Sequence, residues 1–188
     1  MGFESSRKTT LSLTKSSQLR LLHTIEEHRE CLLDLASYTY LRRVTILSFN
    51  LSIGLARNGQ MYDSYMRAIL ARLHKRSTHV KTTIVIAHTE NTNEILIPAI
   101  DLFPQFHWYR AFNCHMKAWL FEHKAGLELV FGGRNLSDSD WFDLSAHTND
   151  QIQIRRLLTN IQQEKQQWSE IIERTKSFPV FDSNNTTK

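Results

Sequence analysis

The sequence predicts an α/β protein, an α-β-α sandwich around a central mixed, mostly parallel sheet. Three observations carry this. Apolar and β-branched runs, Arg43 to Phe49, Lys81 to Ala87 and Phe106 to Phe112, alternate with helical stripes, as in layered folds built on parallel strands. A hairpin pattern follows, which makes the sheet mixed. The chain has 188 residues, 41% of them hydrophobic, enough for one domain with a substantial core.

In chain order, residues 1–15 are rich in Ser, Thr and Lys and read as a loose segment. A single catalytic domain is expected over 16–176, with a polar tail over 177–188. Ser16 or Ser17 is placed to cap a helix reaching Tyr38, with Leu19, Leu22, Ile25, Leu32 and Leu35 as its apolar stripe. Arg43 to Phe49 is expected as a buried strand, and Asn50 to Gln60 as a loop. Met61 to Lys75 reads as a helix buried through Tyr62, Tyr65, Met66, Ile69, Leu70 and Leu73. Lys81 to Ala87 is the next strand, and His88 to Asn93 is the polar loop at its carboxyl end. Glu94 to Leu102 forms a short helix that Pro98 weakens, before the strand Phe106 to Phe112. His115 to Phe121 and Leu127 to Phe131 form the hairpin around His123-Lys124-Ala125-Gly126. Gln151-Ile152-Gln153-Ile154 alternates and reads as a further strand. A long amphipathic helix over Arg155 to Lys176 closes the domain.

The chemistry concentrates between Asn113 and Ile154. In a strand, positions two apart share a face. His115, Lys117 and Trp119 therefore point one way, and Met116, Ala118 and Leu120 point into the core. An imidazole and an ammonium at the start of a strand can converge on one anion. The hairpin returns Gly132-Gly133-Arg134-Asn135 beside His115. Its glycines let the backbone pass close to a ligand, and the Asn135 amide can donate to a phosphate oxygen. Asp150, at the start of the expected strand, is placed to meet the second ring nitrogen of His115.

This arrangement resembles the phospholipase D superfamily. Its signature is His-x-Lys, four residues, then Asp, followed by a Gly-Gly or Gly-Ser turn ending in Asn. Here the first part stands as His115-Met116-Lys117 with Glu122 at the aspartate position, and the second as Gly132-Gly133-Arg134-Asn135. Leu136-Ser137-Asp138 and Trp141-Phe142-Asp143 look similar to the continuation in bacterial members. Two departures are the glutamate and a slightly longer interval to the glycine turn. The resemblance implies the phospholipase D-like fold and a phosphodiesterase working through a covalent phosphohistidine, without metal or other cofactor. It implies catalytic roles for His115, Lys117, Asn135, Asp150 and Glu122. Lys117, Asn135 and Gly133 would bind substrate, with His88 as an outlying candidate.

The mechanism needs two motifs and the chain carries one copy, so a two-fold homodimer sharing one active site is expected. The net charge of +4 and pI near 9.2 favour a polyanionic partner, DNA or RNA. A nuclease is therefore the first expectation. The alternatives are a lipid phosphodiesterase or phosphatidyl-transferase, and a non-enzymatic module of a larger nuclease complex. Cys31 and Cys114 follow no metal-ligand or disulfide spacing, and no His-Glu-x-x-His motif occurs, so no metal site is expected. No stretch reads as a signal peptide or membrane span, which gives the expectation of a soluble, cytoplasmic protein. Of nine histidines, His23, His28, His74, His79, His107, His123 and His147 read as surface or core residues. Trp108, Trp119 and Trp141 read as core or rim aromatics before base-stacking platforms. Arg42, Arg43, Arg67, Arg72, Lys75 and Arg76 read as a solvated basic face.

Overall fold

The computed structural model describes residues 18–54, 63–87, 93–111, 115–132, 136–137, 144–165 and 168–170. The expectations for the loose start, the polar tail, His88, Cys114, Gly133, Asn135 and Asp138 to Asp143 lie outside these residues.

The strands are β1 (Leu19–Leu22), β2 (Leu41–Ser48), β3 (Leu51–Ser52), β4 (Lys81–Ala87), β5 (His107–Ala111), β6 (Ala118–His123), β7 (Gly126–Gly132), β8 (Leu136–Ser137), β9 (Ser145–Thr148) and β10 (Ser169–Glu170). The helices are α1 (Ile25–Ser37), α2 (Tyr65–His74), α3 (Asn93–Leu102) and α4 (Gln151–Glu164). Eight strands form one sheet in the order β1-β9-β7-β6-β2-β4-β5-β10. The sheet is mixed, as expected. Its parallel pairings are β2 with β4 and β4 with β5. The remaining neighbours pair antiparallel, so the parallel part is narrower than the sequence predicts.

Strand alternation sorts the core into two layers. Val44, Ile46, Ile84, Ile86, Trp119, Phe121 and Val130 face α1, α2 and α3, whose Leu32, Leu35, Met66, Ile69, Leu70, Leu73, Leu96 and Ala99 are buried against them. Leu47, Val85, Ala118, Leu120, Leu127 and Leu129 face the other way, onto Ile154 and Ile161 of α4. This is the expected α-β-α sandwich. Trp108 and Trp119 are buried in the first layer, which removes both as stacking platforms. His74 is half-buried, edge-on to Phe103 and Phe106.

Three expectations change. The helix expected from Ser16 or Ser17 is instead the edge strand β1 followed by α1. Thr24 caps α1, its hydroxyl accepting from the Glu27 amide at 3.1 Å, and the Glu27 carboxylate accepts from the His23 amide at 2.6 Å. These bonds satisfy amides that a helix start leaves open. That backbone hydrogen bond, against a smaller desolvation, holds the Glu27 carboxyl below its usual range. The run Gln151 to Ile154 is helix, not strand: Ile154 is buried while Ile152 is 66% exposed. The terminal helix accordingly starts earlier and ends at Glu164, after which β10 pairs with β5.

The basic residues around α2 serve the fold. Arg76 donates to the carbonyls of Ala36, in the last turn of α1, and of Tyr38, its C-cap, at 2.6 and 2.5 Å. Arg72 donates to the Ser37 hydroxyl, and Arg67 to the carbonyls of Ile53 and Gly54. These arginines tie loops together as well as facing solvent. Cys31 is a free, buried thiol, and burial above all pushes its pKa up to about 11.

Candidate active site

One edge of the sheet gathers the carboxyl ends of β2, β4 and β5, the start of β6, the end of β7 and the start of β9. Ligands of α/β sheets bind at such carboxyl edges. His115 and Lys117 lie here, in the segment entering β6. Immediately beyond β2, Phe49 stacks on the His115 ring, with centroids 4.2 Å apart and planes at 23°. The Lys117 ammonium stands 5.9 Å from the centre of the same ring. A small turn fixes Phe49: the Ser48 hydroxyl donates to the Asn50 carbonyl at 2.6 Å, and the Asn50 side chain accepts from the Leu51 amide at 2.8 Å. Sequence reasoning missed Phe49. The available signal was its position, one residue past a buried strand at the carboxyl edge.

Gly132 closes the site from β7. Its amide donates to the Lys117 carbonyl at 3.2 Å. Its φ is +152°, and a Cβ there would lie 2.5 Å from the Leu144 carbonyl oxygen and 2.7 Å from the Ser145 Cα. Only glycine lets β9 pass this close. Leu136, on the far side of the undescribed Gly133-Arg134-Asn135, pairs with Leu51, just beyond Phe49. Gly132 shares a cavity with His115, and Leu136 is tied to the strand that follows Phe49. The cavity, of about 470 Å³, is lined by His115, Met116, Lys117, Phe131, Gly132 and Leu157 among others. Met116 is 37% exposed on its rim and not in the core as expected, and Phe131 and Leu144 are exposed nearby. Ser145, opposite Gly132 in the sheet, is 2% exposed, and its hydroxyl has no hydrogen-bond partner among the described residues.

The other sequence candidates lie elsewhere. Glu122 is at the far end of β6, opposite Leu127, and pairs with Arg43 at 3.5 Å. Four residues of strand span about 13 Å, which separates it from the start of β6. Asp150 does not begin a strand. It is the N-cap of α4, its Oδ1 accepting from the amides of Ile152 and Gln153 at 3.0 and 3.1 Å. The next residue, Gln151, brackets Leu127 through both its amide and its carbonyl. Asp150 is therefore anchored at the Glu122 end of the sheet, a strand length from His115, and cannot fix the tautomer of that imidazole from there. His88 is outside the described residues, although Ala87 before it ends β4 at the His115 edge.

The Glu122 end holds a second polar group with its charges matched. Glu128 accepts from His147 at 2.6 Å and meets His123 at 3.5 Å. Burial acts most strongly on Glu128 and raises its pKa. The hydrogen bonds and charges of His123 and His147 together outweigh it and leave the carboxyl below its ordinary value. His123 is further held edge-on by Tyr38. Both histidines face Glu128 within the fold, away from the His115 cavity. Among the described residues no cluster of His, Cys, Asp or Glu is arranged to hold a metal ion, and no helix is long and apolar enough to cross a membrane.

The layered sheet with His115, Lys117 and Gly132 on its carboxyl edge defines the chain as having the phospholipase D-like fold. Among solved structures it is similar to NucT from Helicobacter pylori, at 15% identity and a TM-score of 0.62, covering 83% of this chain and 100% of that one. It is equally similar to Nuc from Salmonella typhimurium, a phospholipase D family member, at 14% identity and a TM-score of 0.62, covering 82% and 98% of the two chains. Phosphatidylserine synthase from Haemophilus influenzae matches at 12% identity and a TM-score of 0.60, covering 88% of this chain and 42% of that one. No protein-family model matches the chain, and neither does any curated protein sequence.

Proposed function

We propose that this protein is a metal-independent phosphodiesterase of the phospholipase D type, and that its substrate is a nucleic-acid strand. The observation that carries this reading is the His115–Phe49–Lys117 cluster. It presents an imidazole and an ammonium, neither bonded to a described polar group, on the carboxyl edge beside a glycine-gated cavity. The chemistry follows from those groups. The His115 nitrogen attacks phosphorus, a P–N bond forms, and the P–O bond to the leaving strand breaks. A second histidine protonates that leaving oxygen, then takes a proton from water. The water oxygen attacks phosphorus, the P–N bond breaks, and His115 is restored. Dividing one displacement into two easier steps is the advantage of covalent catalysis. Lys117, with Asn135, holds the non-bridging oxygens, where a fixed positive charge lowers the barrier without a metal.

The second histidine comes from a second copy of the chain. A two-fold axis beside the cavity would set His115 against His115 of the partner subunit and make one active site per dimer. The similarity to NucT and Nuc, matched over nearly their whole length, and the net charge of +4 support nucleic acid over other phosphodiesters. A lipid phosphodiester is the second reading. The exposed Met116, Phe131 and Leu144 beside the cavity and the similarity to phosphatidylserine synthase favour it. The test is cleavage of labelled single- and double-stranded DNA and RNA, and of phosphatidylglycerol vesicles, in excess EDTA. Nucleic-acid cleavage that resists EDTA supports the proposal. Cleavage of vesicles alone moves the substrate to lipid, and cleavage abolished by EDTA overturns the mechanism.

A further inference from the structure

The opposite end of the sheet carries a larger cavity, about 590 Å³, on the α4 side. Its lining is mostly polar, with one apolar patch made by Leu120 of β6, Leu127 of β7 and Leu158 of α4. Three cations from three separate elements reach it, Arg43 from β2, Lys124 from the β6–β7 turn and Arg155 from α4. Glu122 is the one carboxylate in its wall, and it is engaged by Arg43 at 3.5 Å. Gln151 also lines the cavity, but its side chain is fully committed to the backbone of Leu127 and Asn149. Three cations, of which Lys124 also lies over the Tyr40 ring, against one carboxylate leave a surplus of positive charge beside the leucine patch.

We propose that this cavity binds an organic anion, a phosphate or carboxylate carried on an apolar body of about mononucleotide size. The volume falls within the roughly 300–1,000 Å³ of small-molecule sites, and the polar, cationic lining selects for an anion. The guanidinium forks of Arg43 and Arg155 suit the planar, two-oxygen presentation of such an anion. The leucine patch receives its body. The site is separate from the His115 cavity, because Glu122 and Arg43 meet at the far end of β6. It also gives the glutamate a role. Glu122 holds Arg43 until a ligand anion takes its place, so the carboxylate is a competitor of the ligand.

Isothermal titration of the full chain with adenosine 5′-monophosphate, octyl phosphate and uncharged adenosine tests this. Wild type is compared with Arg155→Glu, Glu122→Gln and His115→Ala. At least one of the two phosphates should bind the wild type and His115→Ala alike. Its affinity should fall about tenfold or more in Arg155→Glu, the scale of one lost charge-assisted hydrogen bond. It should rise severalfold in Glu122→Gln, where Arg43 loses its competitor, and adenosine should bind at least tenfold more weakly than its monophosphate. Tighter adenosine monophosphate would assign a nucleotide source, and tighter octyl phosphate a lipid-like one. Arg155 is exposed, so its variant should melt with the wild type. Binding of neither phosphate to the wild type overturns the proposal. So does binding that a folded Arg155→Glu retains, or that His115→Ala alone removes.

Discussion

The two ends of the central sheet carry similar residues in opposite states. At one end Glu122 pairs with Arg43, Glu128 with two histidines, and Asp150 with two helix amides. At the other, His115 and Lys117 have only the face of Phe49 among the described residues, and the buried Ser145 hydroxyl has no partner there. Paired charges hold a fold together. Polar groups left open toward a cavity, at the carboxyl edge of a sheet, are available to a substrate. The contrast divides one sequence motif: His115 and Lys117 are left open beside a cavity, and Glu122 is paired with Arg43.

The contrast can be broken at several points. Gly132→Ala should have the largest effect on stability, about 2–4 kcal/mol, since the added methyl meets backbone at 2.5 Å in a conformation that strains other residues. The midpoint of urea unfolding measures it, and an unchanged midpoint would mean that β7 and β9 are less closely packed at the active edge. Glu128→Gln should cost about 2 kcal/mol at pH 7, by removing a half-buried acceptor from two histidines. The sign of its pH dependence follows from a carboxyl held below 4.5 when folded. Stability from such a group is present above its unfolded value and is lost as the pH falls through the folded one. The difference from wild type should therefore persist from pH 7 to 5 and close below about 4.5, as denaturation at stepped pH would show.

Smaller effects are expected from the other paired groups. Asp150→Ala should cost about 1 kcal/mol, the value of an N-cap, and leave cleavage unchanged. A variant of normal stability that fails to cleave would return Asp150 to the active site. Breaking the exposed Arg43–Glu122 pair with Glu122→Gln should change stability by less than about 1 kcal/mol, read from the same urea titration.

The strands β2, β4 and β5 and the β6–β7 hairpin were legible because each is an unbroken apolar run ended by polar or turn residues. His115 and Lys117 were singled out by an alternation that the structure begins only at Ala118, so Met116 lies on the cavity rim and Trp119 in the core. Two misreadings share a cause, which is that short patterns fit both periods. Leu19 and Leu22 continue the helical stripe of α1 but belong to an edge strand. The discriminating signal was Thr24-Ile25-Glu26-Glu27, a residue pattern that starts helices. Gln151 to Ile154 alternates over four residues only. Ile154, Leu157, Leu158 and Ile161 make a helical stripe that outlasts it, with Asp150 in the capping position before it. Phe49 was missed for another reason: its position after β2 could be read, but its contact with His115 depends on β2 and β6 lying side by side, far apart in sequence.

The most direct test of the central claim is single-turnover cleavage of an oligonucleotide radiolabelled at its internal phosphates, in excess EDTA, by wild type and His115→Ala, with covalent phosphoenzyme trapped by quenching in alkaline detergent. The wild type should cleave and carry label stable to base and labile to acid. The variant should be slower by about a thousandfold, within the range ascribed to such groups, and carry none. Equal rates in the two proteins, or wild-type cleavage that EDTA abolishes, would contradict a catalytic site at His115.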